Sequence, residues 1–200
     1  MIANKTTSES RASALVLCIT PTNRDSDFNQ TTLNELKELC ATLGYEVCAE
    51  QIIQVKKAQS ATYLGSGQLE NLKDSLALAA HPVNIVCTNV DVSPTQHRNI
   101  EKVLGCRFLE WSEIILEIFA QNAKTRIAKT QVEIARLNYA LPRLTRQWTH
   151  LERQRGGSIA LRGMGEKQIE LDRRVIRDRL SHLQGDLSHI QKELATRGKA

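Results

Sequence analysis

No stretch of this 200-residue chain stays apolar for the roughly 18–20 residues that a membrane-spanning helix needs. The opening dozen residues, MIANKTTSESRA, are polar and contain no apolar h-region, so they do not read as a secretory signal. Cysteine is sparse: Cys18, Cys40, Cys48, Cys87 and Cys106 are odd in number and form no CxxC pair. Cys18 and Cys87 sit inside the apolar runs LVLCIT and NIVCTN, where a free thiol behaves as a small buried hydrophobe. This argues against a disulfide framework or a zinc site and for a reducing, cytoplasmic setting. The five histidines, His81, His97, His150, His182 and His189, show no HExxH or other ligand spacing. GxxxxGK[ST] does not occur, and GSG at 65–67 is too short for a dinucleotide fingerprint. No nucleophile–base pair stands out. No catalytic residue, metal ligand or cofactor is therefore expected among the residues present.

What is there is charge, unevenly placed. Residues 1–120 hold 10 Lys+Arg against 14 Asp+Glu, and residues 121–200 hold 17 against 8. The overall +5 thus hides a mildly acidic portion joined to a strongly basic one, the arrangement expected of a globular part attached to a polyanion-binding part. The plain alternative is a charged, solubilising helix surface. An apolar fraction of 41% leaves room for a sizeable core.

Residues 1–12 read as a flexible tail. ALVLCIT (14–20) is a continuous apolar run, as in a strand buried on both faces. Leu33, Leu36, Leu39, Cys40 and Leu43 recur at helical spacing, and Gly44 ends that pattern. YEVCAEQIIQV (45–55) is a second strand region. The Leu69, Leu72 and Leu76 stripe follows Gly-Ser-Gly as a second helix, and NIVCTNV (84–90) is a third strand. Ser93-Pro94 places an N-cap before proline at the first helical position, and that helix stops at Gly105. CRFLE is a fourth strand. Strands alternating with helices predict an α/β subdomain over 13–112, with a small parallel sheet flanked by helices.

From about residue 113 the strands cease. Ile127, Ile134, Leu137, Leu141, Leu144, Trp148 and Leu151 are spaced 7, 3, 4, 3, 4, 3. Ile169, Ile176, Leu180, Leu183, Leu187, Ile190 and Leu194 are spaced 7, 4, 3, 4, 3, 4. These are two heptad stripes, predicting a long antiparallel, coiled-coil-like helical hairpin over 113–198. Each arm would reach about 40–45 Å at ~1.5 Å per residue, with a kink at Pro142.

The connection between the arms, placed at 153–167, is the candidate site. RQRGGSIALRGMGEKQIELDRR (153–174) carries five arginines and four glycines. Gly156, Gly157, Gly163 and Gly165 free the backbone for close approach to a ligand and for an anion nest. Arg153, Arg155, Arg162 and Lys167 surround them, with Arg173 and Arg174 just inside the second arm; arginine presents a planar fork suited to phosphate. Ile159, Leu161 and Met164 add apolar surface, a combination suited to a folded RNA cavity. Glu166, Glu170 and Asp172 read as helix-start charges rather than catalytic carboxylates. A loop with merely solvated charges is the competing reading.

WTHLERQRGGSIALRGMGEKQIELDRR closely resembles the signature of the HflX-type ribosome-associated GTPases, approximately WTHLERQ-GGGIGLRGPGETQLETDRR. YLGSGQLENL, VSPTQHRNIEKVLGCR and IILEIFAQNAKTRIAKTQVEIARLNYALPRL extend the likeness over about residues 14–195. It implies an N-terminal α/β subdomain and a hairpin whose tip, here Gly156, Gly157, Arg162, Gly163, Gly165 and Glu166, meets large-subunit ribosomal RNA near the peptidyl-transferase centre. It also implies a role in ribosome splitting or rescue under stress. GTP and Mg2+ would belong to a GTPase domain, in cis or in trans, that these 200 residues do not include. The chain alone is expected to be monomeric and without GTP turnover, since a P-loop lysine and a magnesium-holding hydroxyl are missing. The pattern is departed from at several places. Arg155 is an extra residue, and Ser158 and Ala160 stand for glycine. Met164 stands for proline, and Lys167 and Leu171 for threonine. Asn89 stands for an acidic residue, and Glu110-Trp111-Ser112 for Asp-Arg-Thr. Two other functions stay open: a protein–protein interaction module built on the hairpin, and an auto-regulatory nucleotide-binding domain.

Overall fold

The computed structural model describes residues 12–79, 81–154 and 159–197, and the side chains of 145–169 lie outside that description. The chain divides into two compact units, Met1–Ile115 and Leu116–Ala200.

The first unit is an α/β layer. Strands β1 (Ser13–Pro21), β2 (Glu46–Val55), β3 (Ile85–Thr88) and β4 (Arg107–Leu109) form one sheet in the order β2-β1-β3-β4, with every pairing parallel. Burial explains the order. Ala14 through Thr20 are all buried and β1 is central, whereas β2 alternates between exposed and partly covered residues as an edge strand does. The β1–β2 register slips between Ala14 and Leu15, which leaves Cys48 as the extra residue of a bulge.

Alternate residues of β1 serve opposite faces. Leu15, Leu17 and Ile19 join Val86 and Phe108 in a core with Leu69 and Leu72 of helix α2 (Ser66–Ala77). Ile100 and Leu104 of α3 (Pro94–Leu104) complete that core. Across the sheet, the Cys18 thiol donates to the Asn29 carbonyl of α1 (Ser26–Thr42), whose Leu33, Leu36 and Cys40 are buried. α3 starts and stops where its residues demand. Ser93 Oγ accepts the Gln96 N–H, Gln96 Oε1 accepts the Ser93 N–H, Pro94 fills the first position, and Gly105 closes the helix at φ 71°.

Where β1 and β3 run out of backbone pairing, Asn89 continues the ladder with its side chain. Its Oδ1 accepts the Ile19 N–H at 2.7 Å, and its Nδ2 donates to the Ile19 carbonyl at 3.0 Å. One residue earlier, the fully buried Thr88 hydroxyl has no partner among the described residues. Thr88→Val keeps the shape and removes that polar atom. It should stabilise the chain by about 1 kcal/mol, read as a raised urea midpoint at unchanged slope.

The second unit contains two long helices, α5 (Arg126–Gln154) and α6 (Ile159–Arg197). Before them comes α4 (Trp111–Asn122), a separate helix that covers the stretch between residue 113 and the heptad stripe starting at Ile127. The break lies at Ala123–Thr125, where Thr125 Oγ1 accepts the Ala128 N–H and caps α5. α5 runs on through Pro142.

Candidate functional site

α5 and α6 pack as an antiparallel pair. Arg179 donates from Nε and Nη2 to Glu133 Oε1 at 2.9 and 2.8 Å. Glu133 lies about as far before the end of α5 as Arg179 lies after the start of α6. Leu180 and Leu183 are buried, and Ile176, Leu187 and Ile190 are partly covered while most of their neighbours are exposed. The heptad stripe is therefore the covered face of α6. Ile127, Ile134, Leu137, Leu141 and Leu144 are partly covered on α5.

This places the arginine–glycine motif at one end of the pair. α5 continues to Gln154 and α6 starts at Ile159, so the connection is the four residues 155–158 and not the whole of 153–167. Arg162, Gly163, Gly165 and Lys167 are backbone-helical, as is Arg153 at the end of α5. Arg155, Gly156 and Gly157 lie outside the described residues. Of the predicted RNA-contacting side chains, two are described. Arg174 is exposed and 4.0 Å from Asp178 one turn on, while Arg173 is partly covered. Nearby, the Arg143 guanidinium stacks 3.4 Å from the centre of the Tyr139 ring.

A second polar cluster, not anticipated from the sequence, lies in the α/β unit. The His97 ring sits 2.5 Å through Nδ1 from Glu110 Oε1 and 3.4 Å through Nε2 from Glu101 Oε1. Glu110 is fully buried, and its other oxygen accepts the Val92 N–H at 3.1 Å. Glu101 accepts the Phe108 N–H, and Glu113 accepts the Glu110 N–H as the third residue of α4. Burial alone would pull the His97 pKa down. Hydrogen bonds to Glu101 and Glu110, with their negative charges, overcome that and push it up to about 9. Glu101 shows the mirror effect: burial raises it, but His97, the Phe108 N–H and Arg107 hold it below its ordinary value. For Glu113 burial prevails and its carboxyl is raised. No spacing motif could have revealed this cluster, because Glu110 meets His97 across thirteen residues of chain through the packing of α3 against the end of β4.

Residues 30–120 match the family described as GTP-binding GTPase N-terminal, and residues 122–200 match GTP-binding GTPase Middle Region. GTPase HflX of Magnetococcus marinus is 44% identical over 169 residues, covering 84% of this chain and 39% of its own. The proteins of the same name from Flavobacterium psychrophilum and Escherichia coli are 38% and 39% identical over 91% and 84% of this chain. The chain belongs to the HflX-type GTPase family. It corresponds to that family's N-terminal and middle regions, and it spans about 40% of the length of these relatives. A crystal structure titled SsGBP and GDP complex has the same fold at TM-score 0.63 and 20% identity, over 94% of this chain and 46% of its own. A GTP-binding protein from Sulfolobus solfataricus in complex with GDP follows at TM-score 0.59 and 20% identity, over 90% of this chain and 46% of its own. Among the described residues, no helix is long and apolar enough to cross a membrane.

Proposed function

We propose that these two regions are the ribosome-facing part of an HflX-type GTPase, with the α5–α6 connection probing large-subunit ribosomal RNA during ribosome splitting or rescue. The reading rests on one observation: Arg155-Gly156-Gly157-Ser158 joins two helices that pack antiparallel, with Arg153 and Arg162 at the adjoining helix ends. A helix pair of this kind carries its connection beyond its own apolar seam. Cations there can reach phosphates, and glycines let the backbone come close. GTP and Mg2+ belong, in this reading, to a GTPase domain outside the 200 residues.

Co-sedimentation with purified large ribosomal subunits across a salt series tests the proposal. Binding should weaken as salt rises, because each neutralised phosphate releases condensed counterions. Arg155→Glu combined with Arg162→Glu should abolish pelleting while leaving the helical circular dichroism unchanged. Binding indifferent to both salt and the variant would refute the reading.

A second reading has an observation in its favour. Leu171 and Val175 lie one turn apart on α6 and are 53% and 59% exposed, and large apolar side chains so exposed suit a protein partner. If Leu171→Ser with Val175→Ser abolishes subunit binding and the arginine variant does not, the hairpin is a protein-interaction arm.

A further inference from the structure

We propose that His97, Glu110 and Glu113 form a binding site for one first-row divalent cation of the zinc or cobalt type. One ligand atom from each residue lies within 4.8 Å of the other two, so modest side-chain movement brings them to the roughly 3.3–3.6 Å separations of donors around an ion with bonds of about 2.0–2.2 Å. The set mixes an imidazole nitrogen with two carboxylates. It is not a surface acidic patch: Glu110 is fully buried, and His97 and Glu113 are partly covered.

The surrounding contacts are those that orient metal ligands. A ligating histidine commonly gives its other ring nitrogen to a carboxylate, and Glu101 occupies that place at Nε2, itself fixed by the Phe108 N–H. Nδ1 is thereby left facing Glu110. Backbone amides of Val92 and Glu110 each hold one carboxylate oxygen, on Glu110 and Glu113 respectively. All three donors are oriented without any ion to arrange them.

Charge points the same way. Three carboxylates, Glu101, Glu110 and Glu113, gather around one imidazole, with Arg107 contributing from β4. A wholly enclosed carboxylate needs compensation, and a divalent ion supplies more of it than one shared proton. On loading, the ion replaces the hydrogen shared by Nδ1 and Glu110 Oε1, which passes to solvent. The His97 side chain, 19% exposed, gives the way in. The bound ion would tie α3 to the β4–α4 junction.

The test is a titration of the EDTA-treated chain with Co2+, followed by visible d–d absorption. One equivalent should bind without the near-ultraviolet charge-transfer band of a thiolate, which separates this site from the five cysteines. Glu113→Gln keeps an oxygen for the Glu110 N–H, and Glu101→Gln alters only the outer shell. Each should weaken binding by about 10–100-fold while the metal-free protein stays folded by circular dichroism, Glu101→Gln melting somewhat lower because it gives up a charge partner of His97. If Glu113→Gln does not fold, Glu101→Gln carries the comparison. Absence of the d–d band, a thiolate spectrum, or wild-type affinity in the variants overturns the proposal.

Discussion

Phe108→Ala should destabilise the α/β unit by about 3–5 kcal/mol, the range for emptying a buried aromatic site. Phe108 is fully buried on β4, in the core that Val86, Ile100 and Leu104 also line. Its ring meets the His97 ring edge-on, with centroids 5.8 Å apart, a contact worth a further ~0.5–1.5 kcal/mol beyond area. β4 is a three-residue edge strand, so few other side chains fasten it. Against a total stability of about 5–15 kcal/mol, the loss is large. Urea unfolding monitored by tryptophan fluorescence in a Trp148→Phe background would measure it through Trp111, which begins α4 two residues after the strand. A shift below about 1 kcal/mol would mean that the site collapses onto the cavity and that Phe108 does not anchor the strand.

Glu110→Ala should cost about 3 kcal/mol, near the low end for breaking a buried ion pair because the His97 ring keeps some contact with water. The substitution strands the Val92 N–H and leaves His97 with Glu101 as its anionic partner on α3. A pH signature separates this charge effect from a packing defect. The folded His97 pKa, about 9, lies above the ordinary 6.5. Its stabilising contribution is therefore complete below pH 6.5 and fades as pH rises towards 9. Glu101, held below its ordinary 4.5, contributes fully above that value and less as pH falls through its lowered pKa. Glu113, raised by burial, favours the fold at lower pH, as His97 does. In chelator-treated protein the melting temperature should decline from pH 6.5 to 9.5, and His97→Asn should flatten that slope. An equal decline in the variant would show that other groups set the alkaline limit.

Much of the fold could be read from local chemistry. β1 and β3 announce themselves as unbroken apolar runs because both faces of a central parallel strand are covered. Ser93, Pro94, Gln96 and Gly105 mark both ends of α3 because caps satisfy backbone groups that the helix cannot. The α4–α5 break was hidden, since apolar residues continue on both sides of Thr125 and its cap is a single hydroxyl. The start of α6 was misjudged for a different reason. Gly163 and Gly165 each weaken a helix by only ~1 kcal/mol, less than a long packed arm recovers in tertiary contacts. The arginine–glycine motif was legible because it is contiguous. The His97 cluster was not: a helix, a strand end and the next helix each supply one part, and only tertiary packing of α3 against the end of β4 brings them together.

Asn89 bears on what the sheet can do as a receptor. Strand order reverses between β1 and β3, and open α/β sheets usually admit small molecules into the fork at the carboxyl ends of such a pair. Here the Asn89 amide stitches that fork shut, imitating one more rung of strand. A nucleotide seeking entry there would first have to unpick the two hydrogen bonds between the Asn89 amide and the Ile19 backbone. The seam therefore behaves as a closed suture.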